Sequence, residues 1–282
     1  MNIDEFIIRN TIRIEVLLKN GNKASGTGFF YNFQIYNDNI PVIVTNKHVV
    51  KNTVEGYLFF SLCDEAGTIL DSKKDQVKIT DFEKKWIMHP SENIDLCIMP
   101  IAEILKNKNE KKKFLDCHCL QKDNIINNDE IAGISHLEDV IIVGYPDGIW
   151  DSYNNLPILR KGITATPIQF NFLNEPKFLI DAAIYGGSSG SPVFIFRKVL
   201  CKTENKLRMD DRLKLSGIVY AVAQHTVTGE LKFIDIPTQK TLSTVTNIPN
   251  NLGVVIKANK IFDFERILKK EYVHSKGVDP NE

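Results

Sequence analysis

From about residue 11 to residue 257 the chain is a succession of short apolar or alternating segments, each closed by turn residues. Thr11-Ile12-Arg13-Ile14-Glu15 alternates apolar and polar side chains, and Gly21-Asn22 marks the turn that follows. Such a pattern predicts strands at residues 28–31, 41–45, 56–62, 76–80, 96–101, 140–143, 157–165, 177–180, 192–196, 215–223, 231–234 and 252–257. A parallel α/β sheet needs a crossover of a dozen or more residues, usually a helix, between successive strands. Few stretches here could supply one. An all-β architecture of barrels or sandwiches is therefore expected, and 282 residues suffice for two such units.

Two segments break this rhythm. Residues 106–113 (KNKNEKKK) carry too much charge for a core and read as a solvated connection inside a linker region near 101–131. Residues 260–272 place Ile261, Phe264, Ile267 and Leu268 at helical spacing, which predicts a C-terminal helix packed on a barrel and followed by a polar tail.

Charge narrows the function. With 35 Lys+Arg against 35 Asp+Glu the net charge is zero, which removes the basic footprint of a dedicated nucleic-acid binder. The opening Met1-Asn2-Ile3-Asp4-Glu5-Phe6 has acids where a secretion signal carries basic residues. No apolar run approaches the length of a membrane span. Five cysteines, an odd number, then read as reduced thiols in a cytoplasm. Cys117-His118-Cys119 lacks the second pair that a structural zinc site needs, so neither metal nor cofactor is expected.

The chemistry concentrates in Gly186-Gly187-Ser188-Ser189-Gly190-Ser191-Pro192. A serine hydroxyl needs a base and a site for the oxyanion it creates, and glycines around it let successive N–H groups face one point. Gly186-x-Ser188-x-Gly190 also fits a nucleophile elbow with Ser188 attacking, but that turn must open a helix. Residues 191–196 read as a strand, and the later His225 and His274 lie in a strand and in the tail. Upstream, His48 stands at the end of the apolar strand Val42-Ile43-Val44-Thr45. Asp95 heads Asp95-Leu96-Cys97-Ile98. An acid among buried residues needs a hydrogen-bond partner, and an imidazole N–H is one.

These blocks, in this order, resemble the chymotrypsin-fold (trypsin-like) serine proteases, above all the bacterial branch with glutamyl endopeptidases and HtrA-type proteases. Ser25-Gly26-Thr27-Gly28-Phe29-Phe30 looks like that family's SGTGF strand, and residues 44–50 look like its histidine block. Asn93-Ile94-Asp95-Leu96-Cys97-Ile98 looks like its aspartate block, with Cys97 for the usual alanine. Gly187-Ser188-Ser189-Gly190-Ser191-Pro192 looks like its serine block. The resemblance implies two antiparallel six-stranded β-barrels packed together. Residues 1–115 would form the first and 131–258 the second, joined by a linker at 116–130 and followed by helix and tail at 259–282.

It also implies roles. Ser189 would be the nucleophile, His48 the general base, and Asp95 the residue that holds the His48 tautomer. The N–H groups of Gly187 and Ser189 would form the oxyanion hole. His89, six residues before Asp95, is the competing base and lacks the strand-end setting of His48. The S1 walls would be Ala183, Ile184, Tyr185, Tyr220, Ala221, Val222 and Gly253, which carry no charge and imply a small or apolar P1 residue. Position 188 is Ser where many relatives have Asp or Asn, so the ion pair that orders the oxyanion loop in animal relatives has no acid here.

The expected function is a cytoplasmic bacterial serine endopeptidase acting on protein or peptide substrates, with narrow specificity or a regulatory protein partner restraining it. The alternative is a pseudoprotease that kept the barrels as a peptide-binding module.

Overall fold

The computed structural model describes residues 3–203, 206–225, 231–235 and 248–276. A short helix α1 (Ile3–Arg9) leads into β1 (Thr11–Leu18), β2 (Lys23–Ile35), β3 (Asp38–Thr45), α2 (Lys47–Val50), β4 (Thr53–Cys63) and β5 (Ile69–Thr80). β6 (Ile87–Met88), β7 (Cys97–Pro100), α3 (Ala102–Glu110) and β8 (Phe114–Leu115) complete the first half. After α4 (Asn128–Ala132) come β9 (Asp139–Gly144), β10 (Ile158–Thr164), β11 (Lys177–Asp181), β12 (Pro192–Thr203), β13 (Lys206–His225), β14 (Leu231–Asp235) and β15 (Ile248–Lys257). A 3₁₀ segment, Ala258–Phe264, then runs into α5 (Glu265–Lys276).

The strands form two sheets. In the first, the order is β5-β4-β1-β2-β3-β7-β6, with β8 beside β4. In the second, β12-β9-β10-β11-β15-β13 closes on itself through the β12–β13 pairing, and β14 attaches to β13. The closed six-stranded barrel is thus the second sheet. The first counts eight strands, because the two-residue β6 and β8 extend what six longer strands were expected to complete.

Period-2 burial builds these sheets. Along β1, Ile12, Ile14, Val16 and Leu18 are buried on one face, while Arg13, Glu15 and Leu17 are half-buried on the other. Pairing Ile14 with Gly26 on one side and Leu58 on the other sets the register. Among the described residues three large apolar clusters result, beside a small one of Leu179, Ala221 and Val254. One fills the first sheet, with Ile12, Ile14, Phe30, Ile43, Val49 and Leu58 among its members. Another fills the second, around Val140, Phe178, Ile180, Val193 and Val255. The third joins the sheets: Phe29, Tyr31, Val42, Val44 and Leu96 from the first meet Val143, Phe194, Leu215, Ile218 and Ile256 from the second.

The helices differ from the sequence pattern in instructive ways. The C-terminal segment starts as 3₁₀ rather than α. Ala258, Ile261 and Phe264 recur every third residue, and three residues per turn put all of them on one face, each buried. Only with Leu268, four residues after Phe264, does the spacing become α-helical. The charged stretch at 106–113 is half helix. α3 buries no residue, and its Lys108, with Lys113 beyond its end, pairs with Asp75 of β5. Among the described residues no helix is long and apolar enough to cross a membrane.

His89 docks the C-terminal segment onto the first sheet. Its Nδ1 accepts the Ser91 N–H at 3.1 Å, so Nε2 carries the proton and donates to Asp263 at 3.1 Å. The ring lies edge-on to Phe264 with centroids 5.2 Å apart, and its side chain is 1% exposed. Burial pushes the imidazole below the ordinary histidine value, against the raising effect of Asp263. The unfolded chain therefore takes up a proton that the folded one resists. This stability is present above the unfolded value of about 6.5 and is lost as pH falls through the lowered folded value. Denaturant melts at about pH 7.5 and about pH 5.5 should show a weaker fold at the lower pH. His89→Gln should flatten that slope, and an unchanged slope would assign it to another group.

Candidate active site

The histidine is placed by strand packing. Along β2 the side chains alternate, so Gly26 faces the interior of the first sheet and Thr27 faces the second. A Cβ on Gly26 would lie 2.6 Å from Val49 Cγ1, so glycine is what lets α2 seat Val49 and Val50 in the core. His48, between them and the end of β3, is held at the rim with its side chain 15% exposed. Asp95 is placed by its neighbours: Ile94 and Leu96 are buried in the inter-sheet cluster, which leaves the carboxylate at the same rim. Asn46 Nδ2 donates to the Asp95 carbonyl at 2.7 Å, tying the two blocks together. Cys97, which replaces the usual alanine, is fully buried. Burial raises its thiol well above the ordinary range, and Sγ donates to the Thr45 carbonyl at 3.7 Å.

The side chains then meet in line. Asp95 Oδ2 lies 2.5 Å from His48 Nδ1, and Asp95 Oδ1 accepts the His48 backbone N–H at 3.1 Å. His48 Nε2 lies 2.8 Å from Ser189 Oγ. Both carboxylate oxygens are engaged by the same histidine, so ring and acid are fixed relative to each other. With Nδ1–H given to Asp95, Nε2 faces the serine hydroxyl as an acceptor. Ser189 is fully buried. His89, the competing base, is turned toward Asp263 instead.

The serine sits on a turn that only glycine permits at two points. Gly187 and Gly190 have φ of +83° and +85°, in the left-handed region. A Cβ on Gly190 would also stand 2.0 Å from the Thr27 carbonyl oxygen. Ser188 N–H donates to Tyr185 O at 3.1 Å, and Gly190 N–H to Val219 O at 2.9 Å. Among the described residues the N–H groups of Gly187 and Ser189 have no acceptor. Buried amides are nearly always paired, so two without an acceptor beside the Ser189 hydroxyl are free to receive an anion.

The expected S1 residues divide. Ile184, Ala221 and Val222 are buried in the second sheet, and Ile184 Cδ1 occupies the space over Gly253, 2.0 Å from where a Cβ would be. Tyr185 is 38% exposed, and the half-buried Tyr220 hydroxyl accepts from Lys177 Nζ at 2.9 Å. Ala183 offers its carbonyl to Arg160 Nη1 at 2.8 Å, and the guanidinium carbon lies 4.8 Å from the Tyr185 ring centroid. Arg160 is the charge that sequence reasoning missed. It comes from β10, and only its inward alternation with Ile158 and Gly162 signals that it reaches this wall. An open cleft of about 710 Å³ lies next to the serine turn rather than on it, lined by Arg13, Glu15, Ser25, Tyr57, Gln76 and the Asp147–Gly148 turn.

A family model for the trypsin-like peptidase domain matches residues 26–198, which takes in the histidine, aspartate and serine blocks together. The chain belongs to the trypsin-like peptidase family. Among solved structures, a variant of the HtrA-type protease AlgW with tripeptide is similar at a TM-score of 0.50 and 13% identity. The comparison covers 95% of this chain and 62% of that one, so this peptidase spans about three fifths of that protein. A serine endoprotease from Yersinia pestis is similar at a TM-score of 0.45 and 15% identity, over 96% of this chain and 68% of that one. At such identities the likeness is one of fold. No curated protein matches the sequence.

Proposed function

We propose that this trypsin-like peptidase is a serine endopeptidase in which Ser189, His48 and Asp95 form the catalytic triad. The observation that carries the reading is the unbroken line from Asp95 through His48 to Ser189 Oγ, with contacts of 2.5 and 2.8 Å. Ser189 Oγ bonds to the scissile carbonyl carbon as its proton passes to His48 Nε2. The carbonyl oxygen takes the displaced electron pair and lies between the N–H groups of Gly187 and Ser189. His48 then gives its proton to the leaving amine, and an ester on Ser189 remains. Water, losing a proton to His48, attacks that ester, releases the acid and restores the serine. Asp95 stays ionised throughout and holds the Nδ1–H tautomer.

In the same reading, residues 1–115 supply histidine and acid and residues 131–258 supply the serine. Residues 116–130 link them, and 259–282 form the C-terminal helix and tail, of which 277–282 lie outside the described residues. The S1 pocket is formed by Ala183, Ile184, Tyr185, Tyr220, Ala221, Val222 and Gly253. Ile184 over Gly253 makes it shallow, and Arg160 beside Ala183 opposes basic side chains. P1 is accordingly small or apolar. The natural setting is a bacterial cytoplasm, where protein substrates are abundant. Restraint then comes from narrow substrate choice or a protein partner, since Ser188 provides no acid for activation by a new amino terminus.

A fluorophosphonate probe should label Ser189, and His48→Ala should abolish labelling. Equally poor labelling of both chains would favour a peptide-binding pseudoprotease. A peptide library should show small or aliphatic P1 residues. Ile184→Ala should shift the kcat/KM ratio toward larger apolar ones by roughly tenfold, the scale of a few methylenes in a pocket. Strong preference for Arg, Lys or Glu at P1 would overturn this pocket. Casein hydrolysis by the purified chain should be slow, and rapid hydrolysis would remove the need for a partner.

A further inference from the structure

The turn from Gly186 to Gly190 consists of four peptide planes. In a trans peptide the carbonyl of one residue and the N–H of the next point in opposite directions, so whatever grips the carbonyl also aims the amide. Gly186 O accepts from the Asp147 N–H, and Ser188 O from the Ser191 N–H at 3.0 Å. The other two carbonyls are both held by Thr27 of β2. Gly187 O accepts from the Thr27 hydroxyl at 2.9 Å, and Ser189 O from the Thr27 N–H at 2.9 Å.

The hydroxyl has a second duty. It accepts the N–H of Tyr145 at 3.0 Å, two residues before the Asp147 that grips Gly186. One oxygen therefore bridges the Gly187 carbonyl and the strand end that leads into the bracing turn. Thr27 is fully buried, so no water substitutes for either bond. Its own carbonyl accepts from Thr45 Oγ1 at 2.7 Å, three residues before His48. Two glycines make room for it: a Cβ on Gly144 would lie 2.7 Å from Thr27 Oγ1, and one on Gly190 would lie 2.0 Å from Thr27 O. Ser188, buried and uncharged at physiological pH, cannot anchor the turn through an ion pair.

We propose that Thr27, through its hydroxyl, is a positioning residue for the oxyanion turn. It fixes the Gly187–Ser188 peptide directly and, through the Tyr145 N–H, steadies the 146–148 turn whose Asp147 N–H grips Gly186 O and so aims the Gly187 N–H at the reacting carbonyl. It touches neither substrate nor the triad side chains. Removing the hydroxyl leaves the buried Gly187 carbonyl and the buried Tyr145 amide without partners; the carbonyl is relieved if the Gly187–Ser188 peptide rotates, and the amide if the start of the bracing turn shifts. Glycine at 187 offers little resistance to that rotation. The inference rests on the peptidase reading for its kinetic consequence, but its structural half can be measured without turnover.

The decisive comparison is Thr27→Val, which keeps the shape and loses the hydroxyl, against Thr27→Ser, which keeps the hydroxyl. The readout is the rate of Ser189 labelling by a fluorophosphonate, whose phosphoryl oxygen occupies the oxyanion position, across pH. Thr27→Val should lower the plateau rate by about ten- to a hundredfold, below the loss of a whole oxyanion donor. The shape of the pH profile should match the wild type, and Thr27→Ser should recover most of the rate. A wild-type rate in folded Thr27→Val, or a Thr27→Ser as slow as Thr27→Val, overturns the proposal.

If Thr27→Val does not fold, Thr27→Ala removes the same hydroxyl with less crowding. Amide hydrogen exchange supplies the independent arm. The Tyr145 amide should be strongly protected in the wild type, and residues 185–190 should exchange faster in the hydroxyl-free variant. Equal exchange overturns the clamp whether or not the chain hydrolyses peptides. Protected amides in a wild type that does not label would instead spare the clamp and sink the peptidase reading.

Discussion

The apolar seam between the two sheets is the constraint from which the rest follows. His48 and Asp95 belong to one sheet and Ser189 to the other, so the 2.8 Å between Nε2 and Oγ is an inter-sheet distance. Nothing in either sheet alone sets it. Phe29, Tyr31, Val42 and Val44 pack against Phe194, Leu215, Ile218 and Ile256, all essentially inaccessible. Close-packed aromatic and branched side chains resist sliding, because a shift of even one methylene costs contact energy. A seam of this kind is stiff enough to hold a hydrogen bond between two separately built edges.

Polar contacts refine what the seam makes coarse. Strand alternation on β2 sends Phe29 and Thr27 toward the second sheet and Gly26 toward the first. One short motif thus carries a seam residue, a seat for the helix that bears His48, and a hydrogen-bonding side chain against the serine turn. The sequence Ser25-Gly26-Thr27-Gly28-Phe29 is not a generic flexible stretch. Each position faces a different neighbour for a steric or electrostatic reason, and the two glycines are small because other side chains need the space.

Much of this was legible before any coordinates. Strand positions followed from period-2 patterning, since burial in these sheets alternates as the pattern says it must. The triad candidates followed from chemistry that few residue types can perform, set in blocks whose flanking apolar residues pin them. What stayed hidden was non-local. Arg160 reads as an ordinary strand cation until β10 is seen to turn it toward Ala183. α1 and α3 are short, and α3 has no buried face to leave a periodic signature. The 3₁₀ start of the C-terminal segment shares its every-third-residue spacing with an α-helical stripe, and only packing separates them. The count of strands in the first sheet depended on two-residue pairings that no pattern that short can reveal.

The seam also has a direction in time. Its members run from Ile7 through Phe29 and Phe194 to Ile261, Phe264 and Leu268, so one cluster draws on both extremes of the described chain. Contacts of such sequence separation form late, because the loop they close must be ordered first. During synthesis the first sheet can gather while the remainder is still being made, yet the surface that the C-terminal segment covers stays bare until Leu268 has left the ribosome. A nascent chain therefore carries its histidine and its serine for some time without the framework that brings them together. In the proposed peptidase reading, that ordering keeps histidine and serine apart while their own chain is still unfolded.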